Sequence, residues 1–548
     1  MIEKINADQL REMFAAGAAL LQENKAGVDA MNVFPVPDGD TGTNMSMTLN
    51  SAVAEMANAK SNTVKDVSAA MARGALRGAR GNSGVISSQI FRGISKGLAN
   101  VDEIDTEAFA NALRSGVDMA YKAVMKPREG TILTVARAAA DAAVRAARRE
   151  RDISRFLDIV IDAANAALDK TPEQLPVLKE AGVVDAGGKG LIIIYSGFKQ
   201  ALDGGEFHFD FQTITTEEER SAASMELSTS DIKYAYCTEF FVVNLKEGVD
   251  ERARDSFTDH LQKIGDSVVV VGDDDMIKVH VHTNDPGKAL QWGLRLGELS
   301  KLKIDNMREQ HRKLASDGTL SDEGAPEKLV QYGMVSVVAG DGLADIFRDI
   351  GVDVVVEGGQ SMNPAIADIA DAVQQVKAEN VFVYPNNSNV ILAAQQAQEL
   401  VENRNVIIIP TKTAPQGIAA VLAFMEDADP EANREEMMEA ISTVSTGEVT
   451  FAVRDTRYNG LSIHKGDIIG LDDDGICAVG KTVDEVAVDL LSSIVDDEKG
   501  MITLFWGHDV TDEDAKALTE EISVRFPDLE VECQRGGQPL YYYIFSVE

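Results

Sequence analysis

The chain has 548 residues, a formal net charge of −37 and three cysteines. That length suits about three domains with cores of their own, and so negative a charge excludes nucleic acid and anionic membrane surfaces as main partners. Cys237, Cys477 and Cys533 lie too far apart for a disulfide framework and suit a reducing cytoplasm; no apolar run approaches a transmembrane segment, and the N-terminus reads without a signal-peptide pattern.

The charge is uneven. Residues 1–205 carry 24 Lys and Arg against 25 Asp and Glu, a balance of −1, so −36 lies downstream. A near-neutral first part can bind a polyanion without opposing its own field. Residues 1–205 also contain no His and no Cys. Chemistry there must run on carboxylates, hydroxyls, amides, basic groups and metal.

Apolar spacing predicts helices over 5–27, from Met45 to about Ala59, and over 63–79, 106–124, 131–150, 153–168 and 191–202. Between the first two lies Asn32-Val33-Phe34-Pro35-Val36-Pro37-Asp38-Gly39-Asp40-Thr41-Gly42-Thr43-Asn44. Its prolines forbid helix. Two carboxylates then sit on a tight turn before a helix N-terminus, a pairing that suits magnesium-bound phosphate. An isolated Asp-Gly-Asp is more often a solvated cap. The second glycine loop favours the metal here: Arg77-Gly78-Ala79-Arg80-Gly81-Asn82-Ser83-Gly84 opens another helix and lets backbone amides approach phosphate. Gly130-Thr131 and Val184-Asp185-Ala186-Gly187-Gly188 are two more such helix starts. The stretch 1–205 is therefore all-α, with loops able to gather around a magnesium nucleotide.

Pro37–Asn44, Gly78–Gly84 and Asp185–Gly188 resemble the ATP-binding subunit of the dihydroxyacetone kinase family, an antiparallel helical barrel that binds ATP with two magnesium ions. The longer run Asn32–Pro37, with the long C-terminal additions, is similar to the bacterial fatty acid kinase ATP-binding subunit. The resemblance implies that Asp38 and Asp40 hold magnesium. It implies that Thr41, Gly42, Thr43, Asn44, Gly81, Asn82, Ser83 and Gly84 contact the nucleotide phosphates, with Thr43 beside the two acids in catalysis. Thr131, Asp185 and Gly187 match further nucleotide contacts. Dihydroxyacetone kinases carry a third acid before the pair and a His where Thr41 stands. Here the nearest upstream polar residue is Asn32, the candidate third magnesium ligand.

Residues 206–230 read as a linker. The span 231–307 reads β-α-β-β-α-β, the ferredoxin-like plan. In it, His280-Val281-His282 puts two imidazoles on one strand face, and Cys237 falls on the neighbouring strand. His-x-His alone is more often a pair of ordinary histidines, but the resemblance implies a Cys237, His280 and His282 set, which suits structural zinc. A charged linker follows at 308–328. Residues 329–548 then alternate Val- and Ile-rich strands with helices, which predicts a parallel sheet covered on both faces, with an α+β part from 447. This region resembles the fatty-acid carrier fold, and its loops Gly358–Pro364 and Pro385–Asn389 are placed where open α/β sheets bind ligands.

The expectation is a multidomain chain: an all-α antiparallel helical barrel (1–205), a ferredoxin-like α+β domain (231–307) and an α/β parallel-sheet domain (329–548). The expected function is an ATP-dependent fatty acid kinase subunit that phosphorylates a carboxylate held by a separate fatty-acid-binding carrier. A carboxylate is ionised at neutral pH and needs no general base, which fits a first domain without histidine. The alternatives are a dihydroxyacetone-type kinase and a non-catalytic nucleotide- and zinc-binding scaffold. The expected cofactors are ATP, two Mg2+ and one Zn2+. The expected state is a cytoplasmic homodimer.

Overall fold

The computed structural model describes residues 1–33, 39–124, 126–205, 236–243, 245–246, 257–258, 260–261, 263–272, 276–306, 329–359, 363–453, 455–458, 461–473, 475–497 and 499–548. The side chains of some strand residues, those of Cys237, His280 and His282 among them, lie outside the described set. The chain divides into two compact units, one of Met1–Ile214 with Leu329–Glu548 and one of Thr215–Lys328.

The first unit begins with ten helices: α1 (Ala7–Asp29), α2 (Thr41–Ala57), α3 (Val64–Arg77), α4 (Gly81–Leu98), α5 (Thr106–Ala123), α6 (Ile132–Ala146), α7 (Ile153–Leu168), the short α8 (Thr171–Gln174) and α9 (Pro176–Ala181), and α10 (Ala186–Leu202). Local chemistry starts several of them. Asn6 and Gln9 form a reciprocal capping box on α1, and Thr63, Asp105 and Asp152 cap α3, α5 and α7. Successive long helices pack side by side, and α10 returns against α7, α1 and α2. Their apolar faces meet in a core that includes Phe14, which lies edge-on to Phe91 with ring centroids 5.5 Å apart and against Phe198 at 4.7 Å. Helices α4 and α5 cross closely because Gly93 faces Gly116; a Cβ on Gly93 would sit 2.5 Å from the Gly116 Cα.

Three helices start earlier than their apolar spacing predicts, α2 at Thr41 rather than after Asn44. Both α4 and α10 absorb their glycine loops as first helical turns, at Gly81 and Ala186. At α10 the Asp185 carboxylate accepts from Gly188 N, so a cap outweighs the cost of glycine in a helix.

The same unit continues with β5 (Val330–Val338), α12 (Asp341–Asp349), β6 (Val354–Glu357), α13 (Ile366–Gln375), β7 (Ala378–Tyr384), α14 (Ser388–Gln398), β8 (Asn405–Ile408) and α15 (Ala414–Leu422). The strands are parallel in the order β6-β5-β7-β8. Along β5, Val335 and Val337 pack on α13 and α14, while Met334 and Val338 pack on the opposite face with Leu343 and Phe347. Both faces are thus buried, as the continuous Val and Ile runs predict.

Beyond α16 (Pro430–Thr443) come β9 (Ser445–Phe451), the short hairpin β10 (Thr456–Tyr458) and β11 (Leu461–Ile463), β12 (Ile468–Asp472), β13 (Gly475–Gly480), α17 (Val483–Ile494), β14 (Met501–Trp506), α18 (Asp512–Arg525), β15 (Glu530–Arg535) and β16 (Tyr543–Val547). They build a six-stranded mixed sheet ordered β13-β12-β9-β16-β14-β15. Helix α16 carries too weak an apolar stripe to be read from periodicity. It buries only Met437 and Asn433, and the Asn433 side chain bonds the backbone of Met425 at both N and O.

The helical segment and the parallel sheet share one core: Leu76, Ala79 and Val85 pack with Val335, Ile366, Val390 and Ala393. Ile366 N donates to Ala79 O at 3.1 Å, and the buried Gln89 amide donates to Gln396 at 2.6 Å. Asn363, just before α13, and Asn389, in the first turn of α14, bond Asp40 and Asn82 at the starts of α2 and α4.

In the second unit, β1 (Tyr236–Val243), β2 (Gly265–Gly272), β3 (Met276–Thr283) and β4 (Glu298–Asn306) form an antiparallel sheet ordered β2-β3-β1-β4, with α11 (Pro286–Leu296) before β4. Phe240, Val242, Val279, Val281 and Ala289 form its core. The register pairs Cys237 with His282 and Glu239 with His280. Among the described residues, no helix is long and apolar enough to cross a membrane.

Candidate active site

The site is built on helix starts. Asp40 is the N-cap residue of α2, and its carbonyl accepts from Asn44 N at 2.8 Å. Its side chain makes no capping bond to its own helix, so the carboxylate is directed elsewhere. Gly39, at φ +67°, takes the left-handed turn that lets the chain enter the helix there. A side chain at Gly42 would collide with Lys25 O, so the first turn of α2 lies directly on the end of α1. From that end Asp29 accepts from Thr43 N at 3.0 Å and from Thr43 Oγ1 at 2.8 Å. Asn32, Thr41 and Asn44 are buried. Asp38 lies outside the described residues.

Helix α4 starts against this turn. Gly81, at φ +55°, has no room for a side chain, because a Cβ would sit 2.5 Å from Asn44 Nδ2. A Cβ on Gly84 would collide with Thr48 Oγ1, which is itself held by Asn44 O at 2.7 Å. Ser83 Oγ reaches Thr41 O at 3.4 Å. Neither Asp40 nor Arg80 caps its helix with a side chain. Two helix N-termini, with their amides and partial positive charge, therefore meet beside one carboxylate.

Two further helix starts adjoin them. Gly190 in α10 packs on Met45 in α2, and Gly187 packs on Ile132 at the start of α6. Thr131 is the N-cap residue of α6; its hydroxyl is turned back to Arg128 O at 2.8 Å. Asp185 is buried, and burial pushes its carboxyl up to about 7 although the Gly188 and Ile132 N–H groups favour the charged form.

The α/β segment closes onto this end. Asn363 Nδ2 donates to Asp40 Oδ2 at 2.6 Å, Arg80 Nη1 donates to Asn363 O at 3.0 Å, and Asn82 Nδ2 donates to Asn389 Oδ1 at 2.8 Å.

Three family models match the chain in order: the DAK2 domain over residues 35–200, the middle domain of the FakA-like fatty acid kinase family over 233–314, and the C-terminal domain of the same family over 333–548. Protein YloV of Bacillus subtilis is 45% identical over 555 residues, spanning 100% of both chains. The chain belongs to the FakA-like fatty acid kinase family.

An uncharacterized protein of Staphylococcus haemolyticus is 41% identical over 556 residues and 100% of both chains. Among solved structures, the dihydroxyacetone kinase from C. freundii in complex with AMP-PNP and Mg2+ is 19% identical, covering 35% of this chain and 33% of that one with a TM-score of 0.27. That overlap is too slight to carry an argument. The family is kinase-like, which makes phosphoryl transfer the class of chemistry to consider for these helix starts.

The expected residues Asp40, Thr41, Gly42, Thr43, Asn44, Gly81, Asn82, Ser83 and Gly84 form one cluster around the starts of α2 and α4. Thr131, Asp185 and Gly187 form a neighbouring one at α6 and α10. Cys237 and His282 are paired in register, and Cys237, His280 and His282 have side chains outside the described set. Among the described residues no group of three His, Cys, Asp or Glu could hold a metal ion. Asp29, Asn363 and Asn389 were not legible as site residues. Asp29 lies 14 residues before Thr43, in the preceding helix and outside the Asn32–Asn44 motif, and Asn363 lies 323 residues from Asp40.

Proposed function

We propose that this chain is the ATP-dependent subunit of a fatty acid kinase, transferring the γ-phosphoryl group of ATP to a fatty acid carboxylate presented by a separate carrier protein. The observation that carries this reading is the meeting of the α2 and α4 N-termini at the Asp40 carboxylate. The first-turn amides of α2 and α4 that carry no partner within their helices, at Gly42 and Gly81–Ser83, would bind and orient the phosphates, with Thr43, Asn44 and Gly84 shaping the same turns through their own bonds, and Thr131, Asp185 and Gly187 on the nucleotide farther along. Asp38, Asp40 and Asn32 would hold magnesium, which when bound neutralises phosphate charge. Magnesium characteristically takes one or two carboxylates and completes its shell with phosphate and water, so an oxygen-donor set without a closed protein cage fits it.

A carboxylate oxygen of the acceptor attacks phosphorus, the bond to the β-phosphate oxygen breaks, and ADP leaves with that oxygen. No proton moves at the acceptor, which agrees with the lack of His and Cys in residues 1–205. Thr43, held by Asp29, would position the phosphoryl group rather than act as a base. The acyl phosphate produced would feed phospholipid synthesis.

In this reading residues 1–205 are a helical barrel kinase domain, 231–307 a ferredoxin-like domain with a structural zinc site at Cys237, His280 and His282, and 329–548 an α/β domain of carrier-like fold. Residues 206–230 and 308–328 are linkers. The working form is a cytoplasmic homodimer. Membership of a family whose kinases are built from more than one kind of chain supports a second protein as partner.

Purified chain, Mg·ATP and a carrier loaded with fatty acid should yield acyl phosphate trapped as hydroxamate by hydroxylamine. No hydroxamate, with ADP still bound, refutes the reading in favour of a nucleotide-binding scaffold. Asp38→Ala and Asp40→Ala should each abolish turnover. Zinc content equal in wild type and Cys237→Ala would refute the zinc site.

A further inference from the structure

Asn363 belongs to the α/β segment but is built into the helical site. It is 2% exposed. Its Nδ2 donates to Asp40 Oδ2 at 2.6 Å, and its backbone carbonyl accepts from Arg80 Nη1, the residue that opens α4. The mount is rigid. Pro364 follows and restricts the Asn363 backbone to extended conformations. Two residues on, Ile366 N is bonded to Ala79 O, and Arg80 lies 3.7 Å from Asp368. The same amide packs on Gly81, where a Cβ would come within 3.3 Å of Asn363 Nδ2.

One atom is left over. Asn363 Oδ1 is buried with no hydrogen-bond partner among the described residues. An unpaired buried carbonyl is unfavourable and rare in folded proteins. This one shares its amide group with the Nδ2 that bonds a carboxylate, at the meeting of two helix N-termini. A hard cation, or a water in its hydration shell, would satisfy that oxygen.

We infer that Asn363 is a positioning residue of the magnesium-phosphate site: it orients Asp40 and ties α4 to it, so that metal-dependent nucleotide binding by the helical segment requires the α/β segment. The inference rests on the kinase reading and deepens it. A residue that only held the two segments together would affect nucleotide affinity with and without magnesium alike. One that acts through Asp40 affects the magnesium-dependent part.

The test measures ADP affinity of the full-length chain by calorimetry, in Mg2+ and in EDTA, for wild type, Asn363→Ala, Asn363→Ser and Gln396→Leu. Losing a hydrogen bond to a charged group predicts that Asn363→Ala weakens Mg·ADP binding about tenfold while ADP affinity in EDTA stays within about twofold. Asn363→Ser keeps a donor and should recover part of the loss; if Asn363→Ala fails to fold, Asn363→Ser decides by the same comparison. Gln396→Leu disturbs the same interface away from Asp40 and should leave the magnesium effect unchanged. Wild-type Mg·ADP affinity in the Asn363 variants, an equal loss in EDTA, or an equal loss in Gln396→Leu overturns the inference. A wild-type chain that binds no Mg·ADP overturns the kinase reading itself, which separates the two failures.

Discussion

The carboxylate of Asp29, at the last turn of α1, accepts from both the backbone N–H and the hydroxyl of Thr43 in the first turn of α2. It does for α2 what a side-chain cap ordinarily does, but from a neighbouring helix, leaving the Asp40 carboxylate to face Asn363.

Asp29→Ala should therefore destabilise the first unit by about 1–2 kcal/mol, the usual cost of losing a helix cap. It should also weaken Mg·ADP binding by loosening Thr43. Denaturant unfolding and calorimetry on the same preparation check both. Unchanged stability would mean that Asp29 contributes nothing as a cap.

Gly84→Ala places a methyl group on Thr48 Oγ1 and presses on Asn44 O. The hydroxyl is pinned by its bond to Asn44 O, so the starts of α2 and α4 must separate. A loss of about 1–3 kcal/mol is expected from overpacking. Thr48→Ala in the same chain removes the obstructing oxygen and should restore most of the stability and nucleotide affinity, a rescue read directly in a double-mutant cycle.

The Gln89 and Gln396 amides meet at 2.6 Å in the core shared by α4 and α14. Gln89→Leu alone strands a buried partner and should cost about 1–3 kcal/mol, whereas Gln89→Leu with Gln396→Leu should cost much less. Thermal unfolding should also show the helical and α/β segments melting together, since one apolar cluster spans both. Separate transitions would contradict that shared core.

Burial holds Asp185 protonated up to about 7, against 3.8 as its ordinary value. Between those values the native chain binds one more proton than the unfolded chain, so this group's contribution to stability falls as pH rises through that window. Asp185→Asn keeps an oxygen for Gly188 N and carries no charge. It should come nearest the wild type below about pH 4, gain on it steadily from there to about pH 7, and melt several degrees higher near pH 8. Equal melting temperatures across the range would show that the carboxyl is not perturbed.

Much of the candidate site's layout was legible because helix starts are set locally. Asp40 with Gly42–Asn44, and Gly81–Gly84, are runs in which glycines, small hydroxyls and a carboxylate sit at helix starts, and short-range sterics and capping place them there. The starts of α2, α4 and α10 lie a few residues before those that apolar spacing predicts, because glycine's poor helix propensity reads as loop where Asp40, Arg80 and Asp185 begin helices. Helix α16 and the hairpin β10–β11 escaped notice, the first for want of an apolar stripe and the second because three-residue strands carry too little pattern.

By itself the sequence determined the succession of helices, the alternating parallel sheet, and the acid and glycine motifs, because each depends on residues a few positions apart. Only the tertiary structure decided that Asp29 caps α2, that Asn363 reaches Asp40 and that the helical and α/β segments share a core. Those relationships join residues 14 to 323 positions apart. They are set by which apolar faces find each other when the chain packs, and no periodicity along the chain records that choice.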